Sequence, residues 1–532
     1  MSLLPRTRAG ALWRALLSAV IVIGFVAGTT AVAGLLQIKQ VASDFHAHKA
    51  ITGISKQLAL PAPGEPQTLL LIGVDHRDGE GDGIGNTDTM MLMRIDDSSS
   101  TINVLSIPRD LAVDIPGVGE AKINDAYASG GAKLLLQTLR QDVFPALQVD
   151  HILIIDFQGF ADLVSSLGCV YAPVDHRYYN DNLGQSVANN YSSIDIQPGY
   201  QELCGGPHND GGATSALAFV RFRHNDSDIV REARQQDFLR WAKSQWSTQT
   251  LLADAGRLEK EFADNVETDG NLQTFGGVDD LFDLAVNADG SSLKSIPFPY
   301  GPSEVVNGGD DLSFSETASA QAYQEFMTPT TTATNAVPGI STTSHKGKKK
   351  AHAKTPAQIG MVSDPGDGKS QAGQLGDVGM PVYYPRYIPE GLEYCFSMST
   401  NCDEDTNPTS AYDNSYPRNY KINGPDDTPY DAYVMTLVPW SWSDGGQVPD
   451  LALGQYVTVQ GTTWQDPPLL RDPSAVETVH GKVLDIYSQA GLVSTVAWHT
   501  SQGVYWIQNT LQNTIPNDQM VEMAASLTRA PA

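Results

Sequence analysis

The chain has 532 residues, 41% of them hydrophobic, and a formal charge of −27 from 61 Asp and Glu against 34 Lys and Arg. That length exceeds one ordinary domain and the composition can bury a core, so two globular units with additional segments are expected. The acidic excess excludes nucleic acid as a partner, because a phosphate backbone needs a broad basic face, and no helix-turn-helix or zinc-finger spacing occurs.

Taken in chain order, Arg6, Arg8 and Arg14 precede an uncharged apolar run from Ala15 to Ile38. The run is long enough to cross a bilayer as one helix. With the positive flank N-terminal, residues 1–14 are expected in the cytoplasm, 15–38 as a single-pass anchor in the plasma membrane, and the bulk of the chain outside the cell. A cleaved signal peptide competes with this, since Ala31-Val32-Ala33 offers a small-residue cleavage pattern; the length of the run favours the retained anchor. Residues 39–65 read as a polar stalk.

A buried strand follows at Thr68–Val74, ending in Asp75, then a Gly- and Asp-rich loop from His76 to Thr87. Strand patterns resume at Thr89–Ile95 and Thr101–Ile107, the second closed by Pro108-Arg109-Asp110. Helices are expected near Ala132–Val143, Phe157–Leu167, Thr214–Val220 and Ile229–Ser247, with a strand at His151–Asp156. This alternation predicts an α/β domain, a mixed sheet flanked by helices, over residues 66–299. Residues 300–377 read as a connecting segment and flexible linker: Thr328–Asp377 is rich in Thr, Ser, Gly, Pro and Lys and buries too little to offset chain entropy. From Val378 to the end, apolar runs at Lys482–Tyr487, Val493–Trp498 and Val504–Gln508 predict a separate, small β-rich α+β domain. A helix over Asp518–Leu527 closes it, with Asn517 as N-cap. No internal repeat relates the two domains.

The four cysteines form two sequence-local pairs, Cys169 with Cys204 and Cys395 with Cys402, and two disulfides are expected outside the cell. Zinc is not favoured, because no Cys-x-x-Cys pair accompanies them.

Between Val220 and Gln236 four arginines (Arg221, Arg223, Arg231, Arg234) crowd into one segment of this acidic chain. Guanidinium groups match phosphate oxygens in pairs and stay charged, so the cluster points to a multiply charged phosphate; ion pairing with local acids is the bland alternative. Arg231 and Gln235 lie four apart on a predicted helix and share a face. Asp228 sits where an N-cap would, and capping and catalysis both fit it. Asp75 and Asp88 flank the loop between two strands. A hairpin-like closure brings both carboxylates to one rim, where they suit Mg²⁺ (or Mn²⁺), although turn residues and a Ca²⁺ loop remain open readings. Arg109 follows a buried strand, where loops commonly carry function, with an Arg109–Asp110 surface pair as the alternative. Lys122, alone, reads as solvated. The apolar residues Ile152–Ile155 and Leu134-Leu135-Leu136 read as core, or as a lipid-chain tunnel that the sequence does not distinguish from it. No phosphate-loop Gly-Lys-Ser/Thr, nucleophile elbow or His-Glu-x-x-His occurs.

Several motifs in order resemble the LytR-CpsA-Psr family: Leu71-Ile72-Gly73-Val74-Asp75, Thr87-Asp88-Thr89, Ser106-Ile107-Pro108-Arg109-Asp110, Lys122-Ile123-Asn124, Gly130-Gly131, Ile155-Asp156-Phe157 and the segment Val220 to Gln236. The resemblance covers roughly residues 66–249. It implies a phosphotransferase that moves a glycan from a polyprenyl-pyrophosphate-linked donor to peptidoglycan, forming a phosphodiester. It further implies Asp75 and Asp88 as Mg²⁺ carboxylates, and Arg109, Arg221, Arg223, Arg231 and Gln235 as pyrophosphate ligands with Lys122 and Asp228 alongside. Asp228 and Asp110 are the candidates for the base that accepts the acceptor hydroxyl's proton. Family members often carry Arg two residues before the second aspartate; here that position is Asn86, so one phosphate contact is lost or Arg77 supplies it. A lipid pyrophosphate hydrolase and a non-catalytic wall-polymer binding protein are the alternative functions.

Overall fold

The computed structural model describes residues 50–62, 64–75, 86–96, 98, 101–180, 194–205, 216–222, 228–245, 265–274, 280–281, 284, 292–306, 309–328, 354–395, 416–439, 456–489 and 491–531. By contacts the chain divides into two compact units. The first comprises Met1–Val170, Cys204–Gly206 and Phe238–Thr331; the second comprises Tyr171–Leu203, Pro207–Asp237 and Thr332–Ala532. The expected membrane anchor, 15–38, lies outside the described residues, and among the described residues no helix is long and apolar enough to cross a membrane.

In the first unit, strands β1 (Ala50–Ile51), β2 (Gln67–Asp75), β3 (Asn86–Asp96), β4 (Thr101–Ser106), β5 (Ala112–Ile115), β6 (Gly119–Lys122) and β7 (His151–Asp156) precede strands Val266–Asp269 and Ser292–Ile296. Seven of these form one sheet, in the order β1, Val266–Asp269, β7, β2, β3, β4, Ser292–Ile296. The sheet is mixed: β2 runs parallel to β7 and antiparallel to β3. Leu70, Ile72, Met90, Leu92, Ile152 and Ile154 point into one core, yet Leu69, Leu71, Met91, Met93 and Leu153 on the opposite side are buried as well. Burial on both faces is why these strands read as continuous apolar runs instead of alternating ones.

Helix α1 (Ile123–Thr138) begins nine residues before the expected Ala132, and a single π turn, Leu139–Val143, extends it. Gly130 and Gly131 leave helical geometry, with φ +63° at Gly131, so the chain carries a kink that glycine tolerates and that breaks the apolar period. Helix α2 (Phe157–Leu167) forms as expected, its N-terminus capped by Asp156, which accepts from the Gly159 amide at 2.7 Å.

The stretch read as connecting segment is folded. Strands Tyr300–Val306 and Gly309–Phe314 form a hairpin, and helix Glu316–Met327 buries Ala322, Tyr323 and Phe326 in the first core. Phe144 packs edge-on to Phe298 at 5.9 Å and against Tyr323 at 5.6 Å. The first unit therefore runs on past residue 299, because its core needs these rings. β1 likewise lies within the expected stalk and pairs with Val266–Asp269.

In the second unit, an eight-stranded antiparallel sheet runs from Leu392–Tyr394 through Pro429–Pro439, Val457–Thr462, Gly503–Gln508, Leu492–Thr500 and Lys482–Gln489 to Ala475–Val479; Arg418–Asn423 also pairs with Pro429–Pro439. One face buries Tyr433, Met435, Val459, Val496 and Ile507 under Met520, Met523 and Ala524 of helix Asn517–Ala525. Order begins earlier than Val378, since Met361, Ala372 and Leu375 belong to the same core. The other face buries Ala432, Val504, Trp464 and Trp506 against Tyr171 and Tyr200. That second layer explains why residues 171–203, expected in the first domain, belong to this unit. Asn517 does not cap the last helix. It is the first helical residue, and its side chain accepts from the Val493 amide and donates to the Gly491 carbonyl, both at 2.8 Å. The helix stops at Ala525, and Leu527–Arg529 pairs as a strand.

Cys169 and Cys204 form a disulfide across a sequence separation of 35. Cys395 is also disulfide-bonded; Cys402 lies outside the described residues. Closing a loop of that length stabilises by about 2–4 kcal/mol through the unfolded chain. The double variant Cys169→Ser/Cys204→Ser is expected to lose an amount in that range, read as a lower urea midpoint, with a steeper slope as the unfolded chain expands.

Candidate functional site

The end of the first sheet where β2 and β7 terminate gathers several charged residues. In the β2–β3 ladder Gly73 faces Thr89 and Val74 faces Thr87, so Asp88 is an extra residue that shifts the register. Such a bulge re-aims a side chain at a sheet end. Two features hold it. Thr87, fully buried, donates its hydroxyl to the Gly73 and Thr89 carbonyls, each at 3.1 Å. Gly73 has no side chain, and a Cβ there would stand 3.1 Å from the Thr89 Cβ.

Beside the bulge, β4 ends at Ser106 opposite Met91, and the Ile107 amide donates to the Met90 carbonyl at 2.8 Å. The following loop is tied down from three directions. Its Leu111 and Arg109 carbonyls accept from the Ile123 and Asn124 amides at the start of α1, at 2.9 and 3.3 Å. Its Asp110 carbonyl accepts from the Leu312 amide at 2.8 Å, next to a Leu111–Leu312 bridge. Arg109 and Asp110 thus sit on a loop whose backbone is fixed.

Their side chains continue a row of alternating charge. Arg109 donates through Nη1 to Asp88 Oδ1, and its Nε lies 3.7 Å from Asp110 Oδ2. Lys122, at the end of β6, donates to Asp110 Oδ1 at 2.8 Å and stands 3.4 Å from Asp311 Oδ1. Arg109, Asp88 and Lys122 are part-exposed, whereas Asp110 and Asp311 are buried. Burial would lower the Lys122 ammonium, but the hydrogen bond and charge of Asp110 and the charge of Asp311 outweigh it and hold its pKa above the ordinary lysine value. Lys122 is therefore not the solvated lysine its neighbours in sequence suggest. Asp110 is committed to it.

Asp311 has no local sequence signal. It lies in an Asp-rich hairpin strand 201 residues after Asp110, and only tertiary pairing brings the two together. The side chain of Asp75 lies outside the described residues; its backbone pairs with Asn86 at the same sheet end as Asp88. Two carboxylates carried there on adjacent strands are the hard oxygen donors that Mg²⁺ takes.

The second unit holds the arginine segment. Helix Ala216–Arg221 is followed by helix Asp228–Gln245, which passes into the first unit at Phe238. Arg223 and the side chain of Asp228 lie outside the described residues. Arg231 and Gln235, four apart on one helix, are both buried, and the Gln235 amide donates to the Val220 carbonyl at 3.2 Å, tying the second helix to the end of the first. Arg221 is part-buried at that end.

Arg234 differs from the other arginines. It is fully buried, and its Nη1 donates to the Phe222 carbonyl at 2.7 Å. Its position was legible: Val230, Arg234, Phe238 and Trp241 follow helical spacing and all are buried. An arginine on an apolar stripe is a structural group, so the four arginines do not act as one set.

Residues 32–327 match the model of the LytR_cpsA_psr family. The chain is similar to the polyisoprenyl-teichoic acid–peptidoglycan teichoic acid transferase TagU of Halalkalibacterium halodurans, 29% identical over 253 residues, which are 46% of this chain and 76% of the relative. It is similar to the regulatory protein MsrR of Staphylococcus aureus, 28% identical over 269 residues, 49% of this chain and 74% of the relative. Among solved structures, protein gbs0355 of Streptococcus agalactiae aligns with 21% identity and a TM-score of 0.41, covering 52% of this chain and 92% of its own.

The ion-pair row gives a pH prediction. Because the Lys122 pKa is raised in the folded state, its contribution to stability is complete below the ordinary lysine range and is lost as pH rises through the raised value. Asp311→Asn is expected to destabilise near pH 8. Urea midpoints measured from pH 8 to 11 should show the gap to the parent protein narrowing at the alkaline end.

Proposed function

Because the chain belongs to the LytR_cpsA_psr family, we propose that it is a transferase that moves a glycopolymer from a polyprenyl-pyrophosphate-linked donor to peptidoglycan, forming a phosphodiester. The observation that carries this reading is the fixed loop presenting Arg109 beside Asp88 and Lys122 at the sheet end. The transferase name of the H. halodurans relative supports the same class.

In this proposal the donor diphosphate lies over the rim. Arg109 and Lys122 neutralise charge there; Arg221, Arg223, Arg231 and Gln235 are assigned as pyrophosphate ligands by the family resemblance of their segment. The described rim alone is short of positive charge: Asp88, Asp110 and Asp311 are three carboxylates against the two cations Arg109 and Lys122. A dianionic group therefore needs additional positive charge, which favours a divalent ion held by Asp75 and Asp88. Bound there, Mg²⁺ would neutralise charge on the bridging and terminal phosphate oxygens.

Since its carboxylate is engaged by Lys122, Asp110 is assigned to holding that ammonium in place. Of the two candidates this leaves Asp228 to accept the proton of the attacking hydroxyl. The catalytic contribution of the fixed cations is electrostatic. They are organised before substrate arrives and need no rearrangement as charge develops. The reading places residues 15–38 in the plasma membrane as a single-pass anchor, with the rim outside, where peptidoglycan lies.

Arg109→Ala is expected to lower transfer by about 10²–10³-fold while the protein stays folded, as typical for loss of one preorganised charge. Arg109→Lys should not restore it, because an ammonium lacks the planar fork. The assay is transfer from lipid-linked glycan to peptidoglycan with purified full-length protein, with and without chelator. Wild-type turnover by Arg109→Ala, or water as the sole acceptor, would sink the proposal.

A further inference from the structure

A second, buried charge network lies in the second unit, built from residues not themselves assigned to phosphate binding. Asp175 is its centre. Its Oδ1 accepts from the Tyr178 hydroxyl at 2.6 Å and from the His176 amide and Nδ1, each at 3.0 Å. Burial alone would raise the Asp175 carboxyl, but His176, Tyr178 and Arg234 outweigh it and hold it below the usual range. The carboxylate is thus an ion kept deep in the protein by its partners.

From this centre the network runs in two directions. Toward the arginine helix, the Tyr178 hydroxyl accepts from Arg234 Nε at 3.2 Å, and the guanidinium lies 4.6 Å from the Tyr178 ring centre. The rings of Phe219 and Phe222, each 5.7 Å away, close the cage around it. Arg234 is one residue before Gln235 and three after Arg231 on the same helix. Toward the C-terminal sheet, the His176 ring stacks on Tyr456 at 4.1 Å with 12° between planes. Thr436 donates to the Asp175 carbonyl at 3.3 Å, and the Arg177 amide donates to the Tyr416 hydroxyl at 2.8 Å. Tyr456 and Tyr416 share a buried cluster with Cys395 and Val438.

We propose that the C-terminal β-rich region is a positioning element for the arginine helix, acting through Tyr456 and Thr436 on the segment 175–178 and through Asp175, Tyr178 and Arg234 on the placement of Arg231 and Gln235. The proposal rests on the reading of Arg231 and Gln235 as pyrophosphate ligands for its functional consequence. The physical link itself does not need that reading. An aromatic stack and a buried hydrogen-bonded ion hold their partners in one geometry, because each alternative leaves a charge or donor unpaired.

The test uses full-length protein carrying Tyr456→Ala or Tyr456→Phe, with Thr436→Val as a second variant that keeps side-chain shape and decides the matter should Tyr456→Ala not fold. Two quantities are measured: amide hydrogen exchange in residues 229–237, and affinity for geranylgeranyl pyrophosphate, with Arg231→Ala as reference. Tyr456→Ala is expected to speed exchange in 229–237 and to weaken the probe about tenfold. Tyr456→Phe, which retains the stacked ring, should restore both, and Thr436→Val should move both in the direction of Tyr456→Ala. Unchanged exchange in 229–237 in the folded variants overturns the positioning role. Unchanged probe affinity in Arg231→Ala overturns the ligand reading instead, and leaves the exchange result to decide the link.

Discussion

The first unit depends on keeping a cation at the edge of a sheet in one place. A lysine or arginine free in water at that edge would sample many rotamers and lose that entropy on meeting a ligand. Here the loss occurs during folding. Asp110 and Asp311 fix Lys122, Asp88 meets Arg109, and the loop beneath is bonded to β3, to α1 and to the hairpin Tyr300–Phe314. The arrangement requires all three elements, so the site and the fold of this unit are one problem.

That dependence explains which parts were legible from sequence. The strand ends carrying Asp75, Asp88 and Arg109 showed themselves through short-range pattern: apolar runs closed by Asp or by Pro-Arg-Asp. Helix Phe157–Leu167 and strand His151–Asp156 were equally local. What escaped was non-local. Asp311 reaches Lys122 only because Leu111 bridges Leu312, and nothing within ten residues of either end announces that pairing. The helix Glu316–Met327 was hidden because its apolar face is short and borders a linker of low complexity, although Ser315 accepts from the Ala318 amide as an N-cap should.

The arginine segment teaches a different lesson. Scarcity of basic residues elsewhere made four arginines in one stretch look like one site. Helical phase separates them. Arg234 falls on the stripe of Val230 and Phe238 and ends inside an aromatic cage, where its charge serves Asp175 and the Phe222 carbonyl. Composition locates charge; only periodicity says which way it faces. The domain boundary failed for a related reason. Residues 171–203 look like a continuation of the first domain in sequence order, but the rings of Tyr171 and Tyr200 complete the second face of a sheet formed more than 200 residues later.

On the proposed function, a strongly acidic chain that takes a diphosphate must solve a repulsion problem, and the rim shows how far local cations take it. Each cation described there is already matched by a carboxylate, which keeps it charged and oriented but also cancels its field at a distance. Such a site gains little from long-range attraction; its advantage is at contact range, where donors aimed at oxygens act in a low-dielectric setting. Approach of an anionic headgroup must then be driven by something other than protein charge. An apolar lipid tail partitioning into a membrane supplies that, because each buried methylene contributes about 0.8 kcal/mol irrespective of the charge it carries behind it. On this view the acidity of the chain and a lipid-borne substrate are compatible. A free, water-soluble diphosphate would meet the same rim with no such assistance.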